Sequence, residues 1–520
     1  MARSTLLLTS ILVVTAFNAG FVCGQSPQTI SLKFRSRQET AVGSGYFHII
    51  EQQVKWDLKR TALLICDMWD SNGCVPAIER SLEMPQRMNQ VTRAARQRGA
   101  TIIHAPSSVV DFYKDTPQRQ RALNLPIAQN KPAGIDSWCR RMDDRDLDYP
   151  IEVKGCCCPT RCPPGSYKEI TRQMAALEIH KDDIISDSGS EIWNLFEHRG
   201  IDNLIIMGVH TNMCVLGRPF GIRNMVRFGK NVALMRDLTD TIYGPHAAPY
   251  VSHFTGTDLI VEHIERNWCP TLTSADFTGK PEFHFQEDRR PHIVIVMAED
   301  QYKAAYTLPA FARQHLGKEF RVTLLSSNPE DRHHISGIDV LDDADLAIFC
   351  IHRCLLPVEQ LAHVRKFCQA GKPLIGLGPT VAAFGLPGDK AAEGHQAWPE
   401  FDREILGGTD LVRPERRPGF VVTTPPGSGG GGALLHGVNI TTLNGTNVLS
   451  PIQPLAHSAT TILQARIAGK KPRPVVWTNT NIYDGRVFYT SLGHRENFRQ
   501  TPFQRLLLNA IHWALDRPKP

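Results

Sequence analysis

Short runs of branched apolar residues recur along the chain, with amphipathic stretches between them. TALLICDMWD (61–70) is a continuous apolar run that ends in acid. A strand buried on both faces of a parallel sheet reads this way, whereas a half-buried strand alternates. MPQRMNQVTRAARQRGA (84–100) carries helical spacing, with Gly99 marking its end, and TIIHAP (101–106) is the next strand. DNLIIMGVH (202–210) and NVALMRD (231–237) follow, separated by the helical GIRNMVRFG. Strands alternating with helices predict a parallel sheet covered on both faces. Ahead of them, TISLKFRSR and YFHIIEQQVKW alternate with period two and predict short strands within 25–57.

A second alternation begins at HIVIVMAED (292–300) and continues through LPAFARQHLG, RVTLLSS, ADLAIFCIH (344–352), PVEQLAHVRKFCQAG (357–371) and KPLIGLG (372–378). It closes with RVFYTSLGH (486–494) and PFQRLLLNAIHWAL (502–515). Residues 272–291 are polar and aperiodic and read as a linker; PPGSGGGG (425–432) reads as a surface loop. The expectation is α/β: two doubly wound parallel-sheet domains, 58–271 and 292–518, behind a short N-terminal β segment.

A length of 520 residues suits more than one domain. The net charge of +6 is small for that length, and no basic block stands out, which excludes a nucleic-acid footprint. Arg3, the apolar stretch 6–21 and the small-residue end VCG (22–24) form a signal-peptide pattern cut before Gln25. Thr, Asn and Gly interrupt the stretch, which argues against a membrane anchor, and Cys23 follows Val22, which argues against a lipoprotein signal. No other stretch is long enough to span a bilayer. The expected location is secreted or periplasmic, where disulfides persist.

GVHTNMCVLGRPFGIRN (208–224) concentrates the candidate chemistry. Ligands collect at the carboxyl ends of strands in open α/β sheets. Asp67, His104 and the Gly208–Cys214 turn all fall at such ends. A cysteine opening a helix has its thiolate favoured by unpaired N–H groups and the helix dipole. Those amides can also receive an oxyanion, and a nearby carboxylate can take the thiol proton. The bland alternatives are a core thiol and a capping aspartate. Pro219 falls inside the following helix and should kink or restart it.

LLICDMWD followed by LIIMGVHTNMCV resembles the isochorismatase-like cysteine hydrolases, the superfamily that includes nicotinamidases, over roughly residues 58–270. That resemblance implies a Rossmann-like sheet and an Asp–Lys–Cys triad. Asp67 would be the base and Cys214 the nucleophile. Val209–His210 would be a cis peptide, with amides near His210 and Cys214 forming the oxyanion site. The implied reaction is hydrolysis of a C–N bond, usually an amide, through a thioester. For the lysine, ungapped counting lands on Lys181, whereas matching DDIISDSGSEI to the family's strand and acidic turn puts Asp187 there. If Lys181 fails, another cation substitutes or the domain is not a standard hydrolase. No Asp/His/His metal grouping surrounds His104, so a structural histidine is expected there, with no metal and no cofactor.

KGCCCPTRCPPG (154–165) reads as an insertion. Cys156, Cys157, Cys158 and Cys162, with Cys139 upstream, lack paired C-x-x-C zinc spacing and predict disulfides stapling a loop. The insertion is a candidate lid or specificity element. The second half resembles the trehalose-utilisation (ThuA)-like branch of the class I glutamine-amidotransferase-like fold. AGKPLIGLGPTVAAF (370–384) and GRVFYTSLGHRENFRQTPFQRLLLNAIHWAL (485–515) carry that likeness. The amidotransferase enzymes place a cysteine at the strand-to-helix elbow, where this chain has Gly378, so glutaminase chemistry is not expected. His352 and His494, at strand ends, are candidate pocket residues. Asn439 and Asn444 match glycosylation acceptors. The sequence thus points to an exported cysteine hydrolase of a small amide-like molecule with a ligand- or partner-binding second domain. A non-catalytic binding or scaffolding protein is the rival, and homo-oligomerisation stays open.

Overall fold

The apolar runs become strands of two separate sheets. The computed structural model describes residues 28–140, 144–152, 165, 168–408, 420–426, 432–445 and 455–518. The first sheet holds β1 (Thr29–Glu39), β2 (Phe47–Asp57), β3 (Thr61–Cys66), β4 (Thr101–Ala105), β5 (Ile184–Ile185), β6 (Asn203–Val209), β7 (Asn231–Asp240) and β8 (Thr271–Leu272). Its order is β2-β1-β8-β7-β6-β3-β4-β5. β3 to β8 run parallel, whereas β1 is antiparallel to both β2 and β8.

Every residue of β3 and of β6 is buried, as their unbroken apolar runs require. Ala62, Leu64 and Cys66 enter one core layer; Leu63 and Ile65 enter the layer on the other face. Removing a Leu or Ile side chain from water contributes roughly 1.5–3 kcal/mol, so this two-sided burial fixes the strand in place. The chain leaves β3 toward β4 on one side and later returns to β6 on the other. The ends of β3 and β6 therefore border the crevice where such sheets bind ligands.

The second sheet holds β9 (His292–Ala298), β10 (Arg321–Ser326), β11 (Leu346–Ile351), β12 (Leu374–Leu377), β13 (Phe420–Thr423), β14 (Asn444–Gly445), β15 (Thr460–Arg466), β16 (Arg473–Thr480) and β17 (Arg486–Thr490). Its order is β10-β9-β11-β12-β17-β16-β15-β13-β14. The first five are parallel, but the pairings from β17 through β16, β15 and β13 to β14 are antiparallel. The expected all-parallel sheet is thus mixed. Short turns join β15 to β16 and β16 to β17, a connection available only to antiparallel neighbours.

The β1–β2 hairpin belongs to the first sheet and also clasps the second domain. Ile49 is buried in the second domain's core. Lys33 Nζ pairs with Asp339 at 2.6 Å, and Glu51 N–H donates to Ser336 Oγ at 2.7 Å. The 272–291 segment, read from sequence as a linker, is anchored too. Buried Asp237 accepts from the Ser274 N–H and hydroxyl and from the Phe283 N–H. Among the described residues no helix is long and apolar enough to cross a membrane. The signal-peptide pattern lies outside them.

Candidate active site

The end of β3 aims Asp67 into the crevice. Its φ of +48° is a left-handed conformation that few non-glycine residues adopt. The surroundings hold it there: Asp67 N–H donates to Ala105 O at 3.0 Å, and Ser107 N–H donates to Asp67 Oδ1 at 2.8 Å. The carboxylate is fully buried, and burial raises its pKa against the lowering influence of Arg218 and of the hydrogen bonds it accepts.

Beside it, Gly208, the next-to-last residue of β6, is registered opposite Cys66. A Cβ at Gly208 would lie 2.1 Å from Cys66 O, and φ is +112°. Only glycine fits so close a crossing. The Val209–His210 peptide that follows is cis. A π turn, Thr211–Val215, then carries Cys214. Thr211 Oγ1 meets Thr239 Oγ1 at 2.6 Å, and Asn212 exchanges two hydrogen bonds with the Ile242 backbone. Tyr149 donates its hydroxyl to Asn212 O at 2.8 Å. The turn is therefore tied to the end of β7 and cannot swing.

Cys214 and Asp67 are near neighbours: the carboxylate raises the thiol's pKa, and the His210 backbone amide lowers it. Burial and the adjacent negative charge push the thiol up to about 12, with Arg218 and the His210 amide pulling the other way. The thiol thus holds its proton at rest, with Asp67 beside it placed to take that proton as a bond to sulfur forms.

The cation is Arg218. Its Nε donates to Asp67 Oδ2 at 3.0 Å, and its charge favours the thiolate of Cys214. The sequence reading placed the cation elsewhere. Lys181 is exposed on a turn, with its backbone carbonyl accepting from Arg121. Asp187 follows β5 and accepts from the Ser108 N–H at 2.8 Å, so no lysine stands on the strand before the helix Gly189–Arg199. A signal for Arg218 was present, since residues four apart share a helix face. The Arg218 N–H does bond Cys214 O at 3.0 Å. The helix then breaks at Pro219, as its missing N–H predicts, and restarts at Ile222.

His210 sits beneath the turn, and burial holds its imidazole down to about 4, so it is neutral near pH 7. Its nearest charges belong to a buried cluster in which Asp240 takes Arg80 at 2.9 Å and His253 at 2.7 Å. His104 is fully buried between Gln173 and Asp183, each at 3.2 Å. No group of metal-ligating side chains converges among the described residues. Cys156, Cys157, Cys158 and Cys162 lie outside those residues. Cys139 is buried with Arg227 Nη1 at 3.6 Å, and no disulfide joins two described cysteines.

In the second domain His352 lines a cavity of about 90 Å³ with Glu299, Asp300, Gln301, Arg332 and Pro379 at the strand ends. His494 instead begins the helix Arg495–Phe498, accepting from the Glu496 N–H, with its ring against Tyr302. At the elbow, Gly378 has φ +51°, and a Cβ there would lie 2.5 Å from the Tyr302 ring. A side chain at this elbow is excluded sterically.

Residues 61–248 match the isochorismatase domain family, and residues 292–514 match the ThuA, trehalose utilisation, family. The chain thus joins an isochorismatase-like domain to a ThuA-like domain. Among solved structures, a cysteine hydrolase from Pseudomonas syringae pv. phaseolicola 1448A is 20% identical, covering 43% of this chain and 93% of that one, with a TM-score of 0.27. A ThuA-like protein from Parabacteroides merdae ATCC 43184 is 14% identical over 45% of this chain and 92% of that one, TM-score 0.34. An isochorismatase family protein from Burkholderia thailandensis is 14% identical over 42% and 95%, TM-score 0.26. Among curated proteins none matches the chain.

Proposed function

We propose that the first domain hydrolyses a C–N bond, of the amide type, in a small molecule. One observation carries this reading: a single buried carboxylate, Asp67, holds both the Cys214 thiol and the Arg218 guanidinium. Asp67 takes the thiol proton as the sulfur attacks the carbonyl carbon. The carbonyl π pair moves onto oxygen, which the backbone amides of the nucleophile turn receive. Collapse expels the amine, to which Asp67 returns the proton, leaving a thioester on Cys214. Water then loses a proton to Asp67 and attacks the thioester. The acid leaves and the sulfur regains its proton. Arg218 offsets negative charge wherever it resides on this path.

The test is amine release from a panel of primary amides and N-carbamoyl compounds, with an acyl adduct on Cys214 sought by mass spectrometry. Cys214→Ala should abolish release, with hydroxylamine trapping the acyl group in the parent protein. Release that survives Cys214→Ala, or its absence across the panel, would sink the reading. We further propose that the protein works outside the cytoplasm, with the second domain binding a small ligand or a partner. The exported form would begin at Gln25, which N-terminal mass analysis reads; a secreted chain retaining residues 1–24, or no export, would contradict this.

A further inference from the structure

Arg218 has more donors than its known partner uses. A guanidinium offers five N–H groups in a flat fork. The Nε–H is committed to Asp67, and among the described residues the Nη1 and Nη2 groups meet no acceptor. Arg96 and Arg290, by contrast, engage acceptors through two or more of their nitrogens: Arg96 sends Nε and Nη2 to the two oxygens of Asp183, and Arg290 bonds Asp288, Asp258 and Thr255. Arg218 keeps 21% of its side chain exposed, so its unused edge is open rather than sealed.

Two indoles flank that edge. The guanidinium carbon lies 5.1 Å from the Trp138 ring centre and 6.0 Å from that of Trp69. Both rings are held by the segments that build the site. Trp138 rests on Gly217, where a Cβ would come within 2.8 Å of the indole. Trp69 donates its ring N–H to the carbonyl of Ser107, the residue whose own N–H holds Asp67. Rings packed on a guanidinium exclude water and strengthen its pull on an anion. Because an Nη1/Nη2 edge matches a carboxylate in two-pronged geometry, a carboxylate is the anion it fits.

Resting on the hydrolase reading, we propose that the substrate is an acid. Its carboxylate docks on the open edge of Arg218, its scissile carbonyl lies on Cys214, and its body lies against Trp69 and Trp138. Sulfur and guanidinium share the Asp67 carboxylate, which sets them roughly 5–7 Å apart by two hydrogen-bond lengths and a carboxylate's width. That span suits a carboxylate within about three bonds of the carbonyl carbon.

Alkylation of Cys214 in the full chain by iodoacetate and by iodoacetamide tests this without a known substrate. Both reagents meet the same thiolate, so the ratio of their rates is independent of the thiol's pKa. Glutathione gives the intrinsic ratio. The wild-type ratio should exceed it about tenfold or more, with iodoacetate saturating. Arg218→Gln, checked for folding by its melting curve, should return to the glutathione ratio, and Arg218→Lys should fall between. Benzoate, but not benzamide, should protect wild-type Cys214 from iodoacetamide. An ordinary ratio together with a perturbed pH profile for iodoacetamide overturns the acid assignment alone. An unperturbed profile near pKa ~8.5 overturns the hydrolase reading with it. Failure of the folded protein to react with either reagent overturns both, because the site must admit small molecules.

Discussion

Replacing Asp67 with Asn separates the two duties of that carboxylate, and the separation has opposite signs in two assays. With the thiol near 12, the thiolate fraction at pH 8 is about 10⁻⁴. Burial is the first cause of that value and persists in the variant; the negative charge and the acceptor on the thiol proton do not. Each unit by which the thiol falls raises the thiolate population tenfold. The ceiling is about 10³, set by an ordinary thiol near 8.5. Arg218, released from its partner, pushes further in the same direction. Alkylation of Cys214 by iodoacetamide at pH 8, followed by mass spectrometry of its peptide, should therefore become faster, by one to two powers of ten (an order-of-magnitude expectation). Turnover should fall by about 10²–10⁴, since the group proposed to shuttle the proton is gone. Unfolding would also expose Cys214 as an ordinary thiol, so the comparison is made on a variant whose melting curve matches the parent's. Labelling that slows or stays unchanged in a folded variant would refute the placement of Asp67 as the charge holding the thiol up.

Two further expectations concern stability. Gly208→Ala forces a Cβ to within 2.1 Å of Cys66 O at a positive φ, so it should cost more than about 2 kcal/mol in urea unfolding, and a loss under 0.5 kcal/mol would contradict the described crossing. Glu265 is fully buried between Arg35 and Arg37, each at 2.7 Å, and these cations together with Arg236 outweigh burial to hold its carboxyl down to about 2. A folded-state pKa below the unfolded value of about 4.3 contributes stability above that pH and loses it as pH falls toward 2, worth roughly 3 kcal/mol for this group. Glu265→Gln should flatten the acid limb of the stability curve between pH ~4.5 and 2; a variant with the parent's acid slope would show that the group does not carry it.

The parallel strands were legible in the sequence because they depend on local pattern, whereas the pairing of Asp67 with Cys214 was an expectation drawn from the resemblance. A strand buried on both faces must be almost wholly apolar, as β3 and β6 are after their first residues, Thr61 and Asn203. An acid and a thiol at neighbouring strand ends are brought together by the topology itself. The antiparallel half of the second sheet was not legible. Its strands are interrupted by polar residues, and β15 to β16 carries register shifts that no period reveals. The clasp formed by the β1–β2 hairpin was hidden as well. Its alternation announces strands, but Ile49 finds its core, and Lys33 its partner Asp339, some three hundred residues away. Nothing in the composition of 272–291 distinguishes a slack linker from one whose amides are held by Asp237.

Arg218 was missed for a different reason, and it changes what the site demands of its scaffold. The triad pattern carried over from resemblance seats its cation on the sheet, where a lysine would be fixed by a strand. Here Asp187, just after β5, is turned to the Ser108 amide, and the cation beside Asp67 comes from one turn beyond Cys214. A cation on that turn is only as well placed as the turn. The chain supplies the support accordingly: Gly217 admits Trp138 beside the guanidinium, and Pro219 ends the helix just after Arg218. Asn224 then ties down the carbonyls of Ser137, Arg218 and Pro219 at the break. A lysine on a strand ends in one compact ammonium, whereas an arginine can bind the base through Nε and keep a two-pronged edge for something else. The relocation thus keeps a positive charge on Asp67 and leaves the second, directional contact that the proposed acid substrate would use. Both follow from one residue four positions after Cys214.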